Sequence, residues 1–280
     1  MRARPAEASG GALVAAARLA RVLRQVTSPE GVSIACEVSG EGPPVVLVHG
    51  AGSARWSFDL VRPQLESAFT VIAIDRRGRG DSSDGQGYEV EREFHDVAAV
   101  MRDAGDSAML VGHSYGGLVA AGAAQLLDGL PRLVLYEPPM GAVLTDGELI
   151  DRWERLIGDG DGDTLLREFF RKVAGHSEDE IDELADSPVW ERRKQISPTL
   201  PRELRAELAF SLDRAALGRL STPTLMLLGS ESPDWARRST DAYSDAIPNA
   251  ELRVLEGHGH NATTSGPELL AAEMARFLSA

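Results

Sequence analysis

The sequence predicts an α/β protein with a mostly parallel sheet, interrupted by one helical insertion. Three observations carry this. Short apolar runs alternate with helical segments from Gly31 to Tyr136, the rhythm of strand–helix–strand units. Strand-like runs then stop between about Met140 and Leu220. They resume at Thr224 and at Glu251. An all-helical piece inside such a sheet is most simply a lid over the carboxyl edge of the strands, where open α/β sheets bind ligands.

The elements follow in order. Gly31 to Ser39 reads as an extended strand, closed by the turn Gly40-Glu41-Gly42-Pro43-Pro44. Val45 to Val48, Thr70 to Ile74, Ala108 to Val111 and Leu133 to Tyr136 are bare apolar runs, the mark of strands buried on both faces. Trp56 to Leu65 reads as a helix. Phe94, Val97, Ala98 and Met101 give Val90 to Asp103 helical spacing. Tyr115 to Leu127 is a small-residue helix able to pack closely on a sheet. The insertion offers helices at Glu148 to Ile157, Thr164 to Val173 and Pro201 to Leu212, split by a Gly-Asp run at 158–163 and by Ser-Pro breaks. Thr224 to Leu228 and Glu251 to Leu255 are the last strands, with a helix at Ala236 to Ala246 between them. A terminal helix runs from Pro267 to Leu278.

The N-terminus fits this scheme least. Arg18, Arg21 and Arg24 recur at helical spacing through an apolar stretch, unlike the uninterrupted core of a secretory signal. The expectation is a helical or disordered extension over 1–26, dispensable to a fold beginning near Thr27. The core then spans 27–139 and 221–280, and the helical cap 140–220.

Composition bounds the function. The 280 residues are 43% apolar and 26% charged, ordinary for a globular chain. A net charge of −14 repels phosphate backbones and anionic membranes, so no nucleic-acid or membrane partner is expected. Cys36 is the single cysteine, which excludes an intramolecular disulfide and leaves a cysteine zinc site unsupported. No metal is expected, and no run is apolar enough to span a bilayer. The expected compartment is the cytoplasm.

The sharpest motif is Gly112-His113-Ser114-Tyr115-Gly116-Gly117. It matches G-x-S-x-G and lies between a buried strand and a helix, the setting of a nucleophilic serine. A tight strand-to-helix turn lifts the serine side chain clear, and glycines at 112 and 116 allow the close approach. The helix start beyond it offers free N–H groups to a developing oxyanion. His49-Gly50-Ala51-Gly52, after the strand Val45 to Val48, supplies the companion loop. The amides of Ala51 and Tyr115 are the candidate oxyanion donors, and His49 is read as structural. Asp75-Arg76-Arg77-Gly78-Arg79-Gly80-Asp81-Ser82 tempts a phosphate-site reading. Its spacing fits neither a P-loop nor a dinucleotide turn, so it is read as a structural turn near the site.

These pieces together resemble the α/β-hydrolase fold, and within it the lidded esterase, haloperoxidase-like and haloalkane-dehalogenase-like branch. HGAG at 49–52, DRRGRGDS at 75–82, GHSYGG at 112–117, LVLYEPP at 133–139 and GHGH at 257–260 carry the resemblance. It implies a Ser–acid–His triad in that chain order, no cofactor, and a helical cap after the sixth strand. The family spacing between the catalytic histidine and a later proline fits His260 with Pro267, leaving His258 near the strand end, lining the pocket. For the acid the chain departs from the commonest pattern. Ser232 stands in the expected aspartate register, with Glu231 and Asp234 flanking it. Some dehalogenase-like relatives carry the acid after the preceding strand, where this chain has Glu137. Glu137 is therefore the first choice, and Glu231 and Asp234 are the alternatives.

Dehalogenases and epoxide hydrolases of this fold need an aspartate where Ser114 stands. That leaves acyl chemistry on a small-molecule acyl substrate: a serine hydrolase of a small or medium apolar ester or lactone. The alternatives are a cofactor-free perhydrolase, a C–C bond hydrolase, and a small-molecule receptor on the same fold. Cap aromatics Trp153, Phe169, Phe170, Trp190 and Phe210 divide between the cap's own core and the pocket.

Overall fold

The computed structural model describes residues 21–141 and 146–280. Eight strands form one sheet in the order β1-β2-β4-β3-β5-β6-β7-β8. They are β1 (Val22–Thr27), β2 (Ser33–Ser39), β3 (Pro44–Val48), β4 (Thr70–Ile74), β5 (Met109–His113), β6 (Leu133–Tyr136), β7 (Thr224–Gly229) and β8 (Ala250–Leu255). The β1–β2 and β2–β4 pairs are antiparallel and every other pair is parallel.

The central strands lack alternation because helices cover both faces. Val46 and Val48 of β3 join one core with Ile72 and Ile74 of β4, while Val45, Leu47, Val71 and Ala73 join the other. The first core is closed by α2 (Val90–Ala104), α3 (Tyr115–Ala124) and α10 (Asp234–Ala246). The second is closed by α12 (Pro267–Leu278) and the short α1 (Arg62–Leu65). Every residue of α3 is buried, and its glycines and alanines let it lie directly on the sheet.

After β6 the chain leaves the sheet for the cap: α4 (Gly147–Gly158), α5 (Gly162–Lys172), α6 (Glu178–Ala185), α7 (Pro188–Ile196) and α8 (Leu200–Ala209). Local chemistry starts these helices. The Asp146 and Asp161 side chains accept N–H groups of the first turns of α4 and α5, and Ser177 with Glu180 forms a capping box on α6. The cap has its own core around Trp153, Leu165, Phe169, Trp190 and Leu204. Phe210 instead packs edge-on against Phe94 of α2. The single-turn α9 (Arg214–Leu217) returns the chain to β7, and α11 (Ala262–Ser265) precedes α12.

A buried ion network ties cap to core. Arg76, after β4, holds Glu93 of α2 at 2.9 Å and also Glu203 of α8, which Arg79 shares. Arg77 pairs with Asp96 at 2.6 Å. The arginines of DRRGRGDS thus face carboxylates of the protein itself, which explains a motif that looked anion-binding.

Two expectations need correction. Residues 22–26, read as part of a helical or disordered extension, belong to β1, which pairs with β2 from Val22↔Val38 to Thr27↔Ser33. The arginine spacing misled because β1 is an edge strand exposed over most of its length, so its period-two pattern is faint. The part of that reading on residues 1–20 lies outside the described residues. Trp56 to Leu65, read as one helix, is a 3-10 turn at Arg55–Phe58 followed by α1. Pro63 has no N–H to continue a helical ladder across the segment. Among the described residues no helix is long and apolar enough to cross a membrane.

Candidate active site

The turn after β5 is the focus. Ser114 adopts φ 55° and ψ −129°, a conformation that costs a non-glycine residue about 1–3 kcal/mol. Its surroundings enforce it. The Ser114 N–H donates to the Tyr136 carbonyl at 2.9 Å, and its own carbonyl accepts the Gly117 N–H at 2.7 Å. A Cβ on Gly116 would lie 2.3 Å from the Val48 carbonyl oxygen, and one on Gly112 2.4 Å from that of Gly116. Only glycines let helix and strand meet so closely.

Ser114 Oγ lies 3.0 Å from His260 Nε2. His260 Nδ1 donates to Glu137 Oε2 at 2.6 Å. Glu137 follows β6, is fully buried and itself has φ +45°. Its other oxygen accepts the Gly229 N–H at 2.7 Å and the Ser232 hydroxyl. Three donors answer the buried carboxylate, which keeps a charge there tolerable. Three segments distant in sequence therefore converge: the β5–α3 turn, the end of β6 and the loop after β8.

That last loop is clamped. Tyr136 donates its hydroxyl to the Gly259 carbonyl and accepts the Ala262 N–H at 3.2 Å, bracketing His260. His113 Nε2 donates to the His260 carbonyl at 2.9 Å. Burial and the adjacent His260 push His113 down to about 3, so it stays neutral in that role. Trp235 meets the His260 ring edge-on at 4.9 Å.

Glu231 and Asp234 do not reach His260 by any hydrogen bond. Glu231 is exposed, and Asp234 opens α10. Ser232, in the register where relatives carry an acid, donates instead to Glu137. His258 corrects an expectation: it bonds Ser265 Oγ at 3.2 Å and lines a neighbouring depression beside Glu231, not the cavity at Ser114. Gly266 fixes this, because its Cα abuts the His258 ring.

The amides of Ala51 and Tyr115 bond no acceptor among the described residues. Gly50 brings the two loops together: a Cβ there would lie 2.9 Å from that of Ser114. His49 is fully buried, with Nδ1 donating to the Gly50 carbonyl at 2.8 Å and Nε2 accepting the Arg76 N–H at 3.2 Å. Burial, with Arg76 beside it, holds His49 well below the ordinary histidine range.

Ser114 and His260 open into a cavity of about 440 Å³ beneath the cap. Trp56, Phe169, Phe170 and Val173 give it apolar walls, whereas Trp153 and Trp190 stay in the cap core. Two cavity residues have no motif that could have announced them. Arg193 of α7 sits in a run of like charges, Arg192-Arg193-Lys194, and only the cap's packing turns it inward. Its guanidinium lies 4.8 Å from the ring centres of both Trp56 and Phe170. Burial pushes it down to about 10. Glu207 of α8 is buried at the same cavity. Burial, reinforced by the Glu203 carboxylate, pushes its carboxyl up to about 8. Among the described residues no cluster of three or more His, Cys, Asp or Glu side chains is arranged to hold a metal.

The capped, mostly parallel sheet with a strained serine turn at its centre defines the α/β-hydrolase fold. The model of the alpha/beta hydrolase family matches residues 45–273, and the chain belongs to that family. It is similar to a 2-(acetamidomethylene)succinate hydrolase from Mesorhizobium japonicum, 34% identical over 86% of this chain and 90% of that protein. Among solved structures, an α/β hydrolase from Sphaerobacter thermophilus is 34% identical with a TM-score of 0.80, over 91% of this chain and 99% of that one. A bromoperoxidase from Bacillus anthracis shares the fold at 21% identity and a TM-score of 0.75, over 93% of this chain and 100% of that one.

Proposed function

We propose that this protein is a serine hydrolase that cleaves a small or medium ester or lactone through an acyl-enzyme intermediate. One observation carries the reading: the unbroken relay Ser114 Oγ to His260 Nε2 at 3.0 Å and His260 Nδ1 to Glu137 at 2.6 Å, opening into an enclosed cavity. Ser114 is the nucleophile. His260 takes its proton as Oγ attacks the carbonyl carbon. The Ala51 and Tyr115 amides receive the charge that develops on the carbonyl oxygen. Glu137 holds the imidazole in the tautomer that accepts a proton at Nε2 and stabilises the imidazolium that forms. His260 then protonates the leaving alcohol. Water enters, gives its proton to His260 and attacks the acyl carbon; the bond from that carbon to Ser114 Oγ breaks, Oγ takes the proton back from His260, and the acid leaves. The substrate is a small molecule, because the cap encloses the serine. Residues 27–139 and 221–280 supply the chemistry in this reading, and the cap over 140–220 closes the cavity.

The test is p-nitrophenyl acetate and butyrate turnover, with fluorophosphonate labelling of Ser114. Wild type turns over both esters, and Ser114→Ala loses turnover and labelling together. Labelling without turnover of any ester would favour a receptor. Neither labelling nor turnover would end the nucleophile assignment.

A further inference from the structure

Two arginines line the Ser114 cavity and the relay uses neither: Arg192, whose side chain is exposed, and Arg193, which is drawn inward. Arg193 is partly buried, lines the cavity and, among the described residues, makes a single hydrogen bond, from Nη1 to the Gly52 carbonyl at 2.7 Å. Its Nε is buried with no acceptor. Among the described residues no carboxylate pairs with it. This sets it apart from the neighbouring acid-rich framework, where Arg76, Arg77 and Arg79 all meet Asp or Glu. Arg21 likewise occupies Asp59, another residue of the cavity wall, at 2.6 Å. A desolvated cation is costly without a partner. The faces of Trp56 and Phe170 offset part of that cost and hold the guanidinium plane in place. Among the described residues its Nη2 edge has no protein acceptor, and it lies in a cavity that also holds Ser114 and His260.

Location adds to chemistry. Gly52 belongs to the loop that brings Gly50 against Ser114. Arg193 is thus anchored to the loop facing the serine. A planar guanidinium held against two aromatic rings is suited to a carboxylate rather than to a neutral ester chain.

We propose that the acyl group cleaved at Ser114 carries a free carboxylate, bound by Arg193. This rests on the serine hydrolase reading above and narrows its substrate class to half-esters, or lactones bearing a carboxylate. Arg193 binds substrate; it takes no part in proton transfer.

Two esters of matched chain length test this: the mono-p-nitrophenyl ester of glutarate and p-nitrophenyl pentanoate, which has a methyl group in place of the carboxylate. Wild type is expected to favour the glutarate ester by about tenfold or more in kcat/KM, mainly through KM. Arg193→Gln brings the ratio of the two esters to about one, and Arg193→Lys restores part of it. A wild-type preference for the pentanoate, or a ratio unchanged in Arg193→Gln, overturns the proposal. Binding is read separately on Ser114→Ala protein, which needs neither turnover nor an Arg193 variant that folds. Succinate, glutarate and adipate are compared with their neutral diamides by thermal shift. A rise with at least one diacid and not with its diamide supports the carboxylate site. No rise with any diacid, or equal rises with the diamides, sinks it. A diacid-specific rise in a protein that hydrolyses neither ester would refute the hydrolase reading and leave the carboxylate site standing.

Discussion

Replacing Glu137 by glutamine isolates what the buried acid does. The side chains are nearly the same size, and Glu137 is fully buried, so packing is preserved. The hydrogen bonds decide the outcome. One oxygen receives Gly229 N–H at 2.7 Å and the Ser232 hydroxyl, and the other receives His260 Nδ1–H at 2.6 Å. A glutamine can satisfy only one side with its carbonyl. Turned toward His260, it aims its NH2 at the Gly229 N–H and leaves a buried donor unpaired, costing about 1–3 kcal/mol. Turned toward Gly229 and Ser232, it keeps both bonds and offers N–H to His260 Nδ1. The imidazole then carries its proton on Nε2 and cannot accept one from Ser114. The second arrangement is the cheaper one, so the wrong tautomer dominates. Loss of the carboxylate also removes stabilisation of the imidazolium. Together these predict a fall in kcat of about 10³–10⁴, or about 4–5 kcal/mol in the barrier. The assay is steady-state hydrolysis of p-nitrophenyl acetate, with circular dichroism and thermal melting to verify the fold. Glu231→Gln, at an exposed position without contact to His260, is the control and is expected within about twofold of wild type. A folded Glu137→Gln protein that loses less than about tenfold would refute the orienting role, because the tautomer argument leaves no smaller effect.

Three further outcomes follow from the same geometry. Ser114→Gly and Ser114→Ala both abolish turnover, but the glycine variant should be the more stable by about 1 kcal/mol, read by urea unfolding, because only glycine adopts φ 55° and ψ −129° without strain. Equal stabilities would mean the turn is not strained. Glu207 prefers to be neutral in the fold, its carboxyl raised from 4.5 to about 8. The folded state therefore holds a proton that the unfolded chain releases, and stability falls as pH rises from about 4.5 to about 8, by at most about 5 kcal/mol. Glu207→Gln should match wild type near pH 4 and exceed it above pH 8; parallel stability curves would contradict this. A chain starting at Thr27 loses β1 and the burial of Val26 and bares the edge of β2. It should unfold at lower urea or aggregate, measured against a chain starting at Arg21, and equal midpoints would show β1 to be dispensable.

The sequence alone determined the chain's central architecture. Bare apolar runs bounded by turn residues, such as Val45–Val48, read as strands buried on both faces, and the glycines around Ser114 admit a tight strand-to-helix turn. These are local constraints, written in neighbouring residues, and local constraints are legible without a structure. The exposed edge strand β1 escaped for the same reason, since its hydrogen bonds come from β2 and its side chains carry little pattern. The acid beside His260 was a matter of three candidates, because Glu137, Glu231 and Asp234 all lie near strand ends that reach the same edge of the sheet. Only the tertiary structure shows which of them lies against the histidine: Glu137, held by Gly229 and Ser232, is the one hydrogen-bonded to His260 among the described residues. Arg193 and Glu207 were invisible for a deeper reason. Each stands in a charged helix that reads as solvated surface, and what makes them unusual is the absence of a partner once the cap closes over the sheet. A missing counter-charge is a property of three-dimensional packing, and no single position in the chain records it.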